Sequence, residues 1–535
     1  MTVNQQGFEL EYSHSQKERA GPVTCLSMTF ENEEARRAHF TEALRKKLKD
    51  PEFRKIEGFP IGNDEDILNL SDPPYYTACP NPWIADFIAE WEAQKPEQPE
   101  GYQYHREPFA ADVSEGKNDP IYNAHSYHTK VPHKAIMRYI LHYTNPGDIV
   151  FDGFCGTGMT GVAAQLCGDR EVVMSLGYQV KPDGTILQEE TDEDGKKVWR
   201  PFSKLGVRKA VLNDLSPAAT FIAYNYNTPV DVAAFENKAN RILKEVEEEC
   251  GWMYETKHTD GRIGKINYTV WSDIFVCPEC AGDVVFWDVA VDKDSDKVFD
   301  EFKCPNCKAK LTKKTMERSW TTRYDNYLMQ TVRQSKQVPV LLNYTVGKKR
   351  FEKNPDSFDS SLSERIERYK SPYWIPVERM MVGKETRRND PIGLTHIHHF
   401  YTNRDATVIS CFLSKADKTK HSRMLKLVLT SLLIYASKLS RWRLANKSGP
   451  LAGTLYVSST IMPLDAMTIL PNRIKRLASG KRSVPLLDFK NYSISTISGS
   501  LVDALNNSVD YIFTDPPFGV STLNPKALPL HPRTA

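Results

Sequence analysis

Three groups of residues in this chain have the types and spacing of chemistry. Asp152-Gly153-Phe154-Cys155-Gly156-Thr157-Gly158-Met159-Thr160-Gly161 sets a carboxylate before a turn built on glycines. Such a turn brings backbone close to a ligand where a Cβ would hinder it, which suits a nucleotide-like cofactor. Asp515-Pro516-Pro517-Phe518 joins a carboxylate, two rigid prolines and an aromatic ring after an apolar run, an arrangement suited to a flat base with an exocyclic amine. Cys277-Pro278-Glu279-Cys280 and Cys304-Pro305-Asn306-Cys307 are two Cys-x-x-Cys knuckles that suit a metal ion.

The elements around them follow from pattern. Ile149-Val150-Phe151 reads as a strand buried on both faces, and Thr160 to Cys167 as the helix after the turn. A glycine-rich turn alone also fits dinucleotide and phosphate loops. Its neighbours narrow the reading. A helical stretch from Ala135 to Tyr143 leads into Asn145-Pro146-Gly147-Asp148, and Arg208 to Leu212 predicts a second strand ending in Asn213-Asp214. A carboxylate at that position is where such folds grip a ribose hydroxyl pair. Cys155 reads as a packing residue, and Tyr178 to Pro201 as an inserted β-hairpin. Val509 to Thr514 predicts a strand with Asp515 at its carboxyl end, the edge where open α/β sheets bind ligands.

His128-Thr129-Lys130-Val131-Pro132-His133-Lys134, the glycine turn and Asp515-Pro516-Pro517-Phe518 resemble motifs X, I and IV of the amino-methyltransferases. These enzymes methylate adenine N6 or cytosine N4 in DNA with S-adenosylmethionine. The resemblance covers about 130–227 and 500–519. It implies an α/β, Rossmann-like class I methyltransferase sheet with helices on both faces. It assigns Asp152, Phe154, Gly156, Gly158, Thr160, Asp214 and Lys130 to the cofactor. It assigns Asp515 to polarising the amine, with Pro516 and Pro517 fixing a carbonyl and Phe518 stacking on the extruded base. A carboxylate and a carbonyl accepting both N–H bonds would draw the amine lone pair out of ring conjugation. The implied partners are double-stranded DNA and a cognate restriction or defence-system protein. A DNA-binding protein with a vestigial cofactor site is the alternative from another class, and an RNA or protein-glutamine methyltransferase is a third reading.

A second copy of the catalytic pattern stands at Asp72-Pro73-Pro74-Tyr75. Some amino-methyltransferases place motif IV ahead of motifs X and I, which would favour Asp72. The apolar run before it, Ile67 to Leu70, predicts a weaker strand than 509–514. The interval from Asp72 to Asp152 leaves little room for the sheet that order requires. Asp515 is therefore preferred.

Four thiolates leave no open coordination position, so a structural zinc ion is expected. The chain of 535 residues is nearly neutral at +2, yet from Lys303 to Asp488 there are 35 Lys and Arg against 14 Asp and Glu, an excess of 21 that the remainder offsets with −19. Such asymmetry, with aromatics interleaved, predicts a basic surface for phosphates. His396, His398 and His399 read as packing or surface histidines rather than metal ligands. No apolar stretch has the length of a membrane span; Met424 to Leu439 reads as a buried amphipathic helix. Ten cysteines without a secretory signal suit a reducing cytoplasm. The expected organisation is an N-terminal extension over 1–120, a cofactor half over 121–235, an insertion with zinc ribbon (277–307) and target-recognition region over 236–488, and a catalytic segment over 489–535. The short proline-containing tail after Gly519 reads as a truncated methyltransferase, of doubtful activity.

Overall fold

Helix α1 (Glu33–Lys47) begins where the Asn32 side chain accepts the N–H of Ala35. Glu33 and Glu34 in its first turn and Arg45, Lys46 and Lys47 in its last complement the helix dipole. Residues 21–516 are described by the computed structural model, other than 98, 128–129, 294, 296, 444–448, 485–486 and 500–507. They divide into two compact units, one through 21–235 and 476–516, the other through 236–475.

In the first unit the run expected as a weak strand, Ile67 to Leu70, is instead the end of helix α2 (Asp64–Leu70). Asn63 caps it on the N–H of Asp66 at 2.9 Å, and three acids fill its first turn, so capping outweighs a short apolar run. Helix α3 (Ile84–Glu92) buries Ile84, Phe87, Ile88 and Trp91. Helix α4 (His133–Tyr143) then leads to β1 (Ile149–Asp152) and to α5 (Met159–Leu166), whose every residue is buried. The inserted hairpin is β2 (Thr185–Thr191) against β3 (Lys197–Lys204), joined by the short strand Gln179–Val180. It is followed by β4 (Lys209–Asp214) and α6 (Pro217–Asn227).

The second unit is built on a long strand, β5 (Ile263–Val276). A separate two-stranded ribbon, β6 (Trp320–Asp325) with β7 (Gln330–Ser335), precedes β8 (Gln337–Val346), which pairs antiparallel with β5. The helix expected over 424–439 is shorter: α7 runs Ser422–Thr430. Beyond it the Ser431 hydroxyl donates to the Val428 carbonyl at 2.6 Å, a side-chain bond that competes with continued helix.

The chain returns to the first unit with β9 (Tyr492–Thr496) and β10 (Tyr511–Ile512). These complete a parallel sheet in the order β9-β4-β1-β10. Ile149, Val150, Ala210, Val211, Leu212 and Ile494 are buried within it, the Ile, Val and Leu side chains each contributing about 1.5–3 kcal/mol by burial. Asp510 fastens β10, its Oδ2 accepting the N–H of Ile149 at 2.7 Å. Past Ile512, Phe513 N–H donates to the Phe151 carbonyl. On the far edge Tyr76 forms a parallel bridge with Ile494, so the first Asp-Pro-Pro motif flanks β9. Among the described residues no helix is long and apolar enough to cross a membrane.

Candidate active site and metal centre

Asp152 and Asp214 end the neighbouring parallel strands β1 and β4, and Asp515 follows β10 on the other side of β1. The three carboxylates thus share the carboxyl edge of the sheet, and β1/β10 is where the strand order changes direction. Asp152 is buried; its Oδ1 accepts the N–H of Phe154 at 3.1 Å and its Oδ2 accepts the Thr160 hydroxyl. Burial, with repulsion from Asp214 and Asp515, pushes its carboxyl up to about 7 against those two hydrogen bonds. Asp214 accepts the N–H of Gly156 at 3.0 Å and of Ser216 at 2.9 Å, and burial raises its pKa as well.

The turn between these carboxylates needs glycine. Gly156 and Gly158 have φ of 50° and 72°. A Cβ on Gly158 would lie 2.7 Å from the Ala223 Cβ, so its absence lets α6 close against the start of α5. Cys155 is buried with its thiol pKa pushed well up by burial, a packing residue and not a nucleophile. Phe154 is 45 % exposed and Tyr127 is 38 % exposed, and the Tyr127 ring would be 3.4 Å from a Cβ on Gly156. Two aromatic faces therefore stand open at the turn. Tyr127 was not among the residues expected at this site; its only signal in the sequence is its place just before His128. Lys130 is committed elsewhere: its Nζ donates to the carbonyls of Tyr122 and His125 and lies 4.3 Å over the Tyr122 ring. Burial lowers its pKa to about 8. It fastens the loop that enters α4. Asp515 is partly exposed and Pro516 exposed, whereas Pro517 and Phe518 lie outside the described residues.

The first Asp-Pro-Pro motif is a different environment. Asp72 is fully buried and accepts Arg36 Nη2 at 3.1 Å, Arg37 Nε at 3.0 Å and the Tyr224 hydroxyl at 2.6 Å. The Pro73 carbonyl accepts Arg36 Nη1, and the Pro74 carbonyl accepts Asn81 Nδ2 at 2.9 Å. Tyr75 is buried, with its ring stacked on Phe489 at 5.1 Å and the Arg36 guanidinium 4.7 Å from its centroid. Every acceptor and ring face that an amine and a base would use there already has a protein partner. Nothing in the sequence pattern singles out Arg36, Arg37 or Tyr224 as those partners.

In the second unit the four cysteines Cys277, Cys280, Cys304 and Cys307 converge, with all four Sγ atoms within 4.8 Å of one another. Cys277–Cys307 and Cys280–Cys304 are each separated by 3.8 Å. A tetrahedral zinc site with bonds of about 2.3 Å places its sulfurs about 3.8 Å apart, whereas a disulfide needs about 2 Å. The two knuckles repeat one backbone pattern: Ala281 N–H donates to the Cys277 carbonyl and Lys308 N–H to the Cys304 carbonyl, with both donors at positive φ. Phe275, Phe286, Phe302 and Leu311 pack with Cys277 and Cys304 as a small core. The donor set fits a structural, closed zinc site.

His398 and His399 are also buried, and both Nε2 atoms meet Asp325 Oδ2, at 2.9 and 3.1 Å. Residues 10–190 match the family model for DNA methylase of the N6/N4 type. This match supports the methyltransferase resemblance; it spans the first Asp-Pro-Pro motif and the glycine turn and stops before β4. No curated protein and no solved structure matches the chain.

Proposed function

We propose that the chain is an S-adenosylmethionine-dependent methyltransferase acting on the exocyclic amine of adenine (N6) or cytosine (N4) in DNA, with Asp515 as the amine-polarising carboxylate. The observation that carries this is the sheet order β9-β4-β1-β10, which brings Asp152, Asp214 and Asp515 to one edge around the glycine turn. S-adenosylmethionine, when bound, supplies an electrophilic methyl group on a sulfonium. The residues present fit it: an open turn with positive φ, two strand-end carboxylates and two exposed aromatic faces. Asp214 would take the ribose hydroxyls on the lone pairs that its bonds from Gly156 and Ser216 N–H leave over. Asp152, with Thr160 and the Phe154 N–H on its oxygens, holds the shape of the turn. Asp515 and a carbonyl fixed by the prolines would accept the amine's two N–H bonds, and Phe518 would stack on the base. Much of the rate gain would come from positioning an in-line transfer.

The span of the family match favours a second reading, in which Asp72 carries the chemistry. The occupied acceptors of Asp72, Pro73 and Pro74 weigh against it. Methylation of plasmid DNA by the purified chain, read by mass spectrometry of its nucleosides, tests both. Asp515→Ala should remove N6-methyladenine or N4-methylcytosine while leaving S-adenosylmethionine binding intact. Full methylation by Asp515→Ala would refute the assignment. Absence of both products from the wild-type reaction, with S-adenosylmethionine and plasmid DNA supplied, would refute the function.

A further inference from the structure

We infer that the β6–β7 ribbon is the element that reads duplex DNA, its outer face entering the major groove. The inference rests on the methyltransferase reading for the identity of the partner. Strand alternation sorts the ribbon into two faces. Trp320, Thr322 and Tyr324 on β6 stand opposite Ser335, Arg333 and Thr331 on β7. This face is open: Trp320 is 37 % exposed, Tyr324 55 %, and Met329 at the tip 65 %. The Arg333 guanidinium lies 4.4 Å over the Trp320 ring, and the Tyr324 hydroxyl reaches the Met329 sulfur at 3.9 Å.

The inner face is locked to the rest of its unit. Gln334 Nε2 donates to the Gly393 carbonyl, and Gly393 has φ +79° with its missing Cβ only 2.2 Å from the Arg333 carbonyl oxygen. No residue with a side chain would let the ribbon lie so close. Asp325 shapes the tip by accepting the N–H groups of Tyr327 and Leu328, and its other oxygen meets His398 and His399. The histidine triplet thus has a bracing role for His398 and His399. Tyr327 pins the tip further, its hydroxyl donating to Asn403 and accepting from the Ser371 N–H.

A rigid two-stranded ribbon with one exposed face of aromatics, threonines and an arginine is a shape and chemistry that the major groove admits. On the ribbon itself the outer face carries one cation, Arg333, and no carboxylate; Arg323 and Asp325 lie on the inner face, and the flanking Arg318 and Lys336 pair with Asp273 and Asp283. An outer face with a cation and no carboxylate suits a polyanion, and the methyltransferase reading makes duplex DNA that polyanion. Threonine methyls and the arginine fork can contact base edges, and Tyr324 with Met329 can pack on thymine methyls or sugars.

The test is selection by the full chain from a short duplex pool with a randomised core, alongside cofactor binding and zinc content. The wild type should enrich one sequence motif. The double variant Thr322→Ala/Tyr324→Ala should lose that enrichment by on the order of 10- to 100-fold, with cofactor binding and zinc unchanged. Arg333→Lys keeps the charge and loses the fork; it should relax preference at one base pair while leaving the salt dependence unchanged. Wild-type selection by these variants would overturn the ribbon's role and leave the methyltransferase reading standing. A preference of the wild type for single strands over duplex would also overturn it. A chain that binds neither cofactor nor duplex would overturn the underlying reading and this inference together.

Discussion

Replacing Asp152 with Asn isolates the electrostatic cost of a carboxylate at the carboxyl edge of the sheet. Asn keeps the geometry, since its oxygen can accept the Phe154 N–H and its amide can donate to the Thr160 hydroxyl, which turns to suit. It removes the titration. Burial raises the Asp152 pKa from 3.8 to about 7, with Asp214 and Asp515 adding repulsion. A raised folded-state pKa means that the fold holds a proton the unfolded chain has released. The associated stability is fully present below about pH 4 and is lost as pH rises through about 7. At 1.36 kcal/mol per unit, the shift of about three units amounts to about 4 kcal/mol above pH 7. Asp152→Asn should therefore match the wild type near pH 4 and exceed it near pH 8. Two compact units make a single global unfolding energy ill-defined, so local opening is the better measure. Hydrogen exchange of peptides covering 149–166 and 209–214, compared between wild type and variant at each pH, cancels the intrinsic pH effect. Protection in the variant should rise by up to about 10³-fold at pH 8 and not at pH 4. A ratio that stays constant across this range would refute a buried, proton-holding Asp152.

Cys280→Ser should release the metal and loosen 277–312, because structural zinc contributes on the order of 10 kcal/mol in small peptides; one zinc per chain in the variant, by elemental analysis, would contradict the four-thiolate site. Asp72→Ala leaves the fully buried Arg36 without its buried counter-charge and should cost about 3–5 kcal/mol. Hydrogen exchange of 33–47 and 492–496 reads this, and unchanged protection would show that Asp72 is not a structural anchor. Gly156→Val, at φ 50° and against the Tyr127 ring, should abolish S-adenosylmethionine binding by calorimetry without changing zinc content; binding at wild-type affinity would remove the turn from the cofactor site.

Local covalent chemistry and period were legible without coordinates. The glycine turn, the apolar runs at Ile149 and Ala210, the hairpin after Tyr178 and the cysteine spacing each carry their information within a few residues. Such residues keep their meaning wherever the chain places them. The ambiguity between two Asp-Pro-Pro-aromatic segments could not be argued beyond a preference, because the four residues are nearly the same. Their difference lies in partners outside the four residues: Arg36, Arg37 and Tyr224, remote in sequence, and the nearer Asn81 occupy the acceptors of the first copy. Ile67 to Leu70 also read wrongly as a strand, since four apolar-rich residues carry no period and the Asn63 cap decided the matter. The sequence by itself determined the glycine turn after a strand-end carboxylate and the two paired cysteine knuckles. Tertiary structure alone decided which carboxylates meet, since strand order joins β9, β4, β1 and β10 across an intervening unit of 240 residues, 236–475, and proximity over that distance leaves no trace in local pattern.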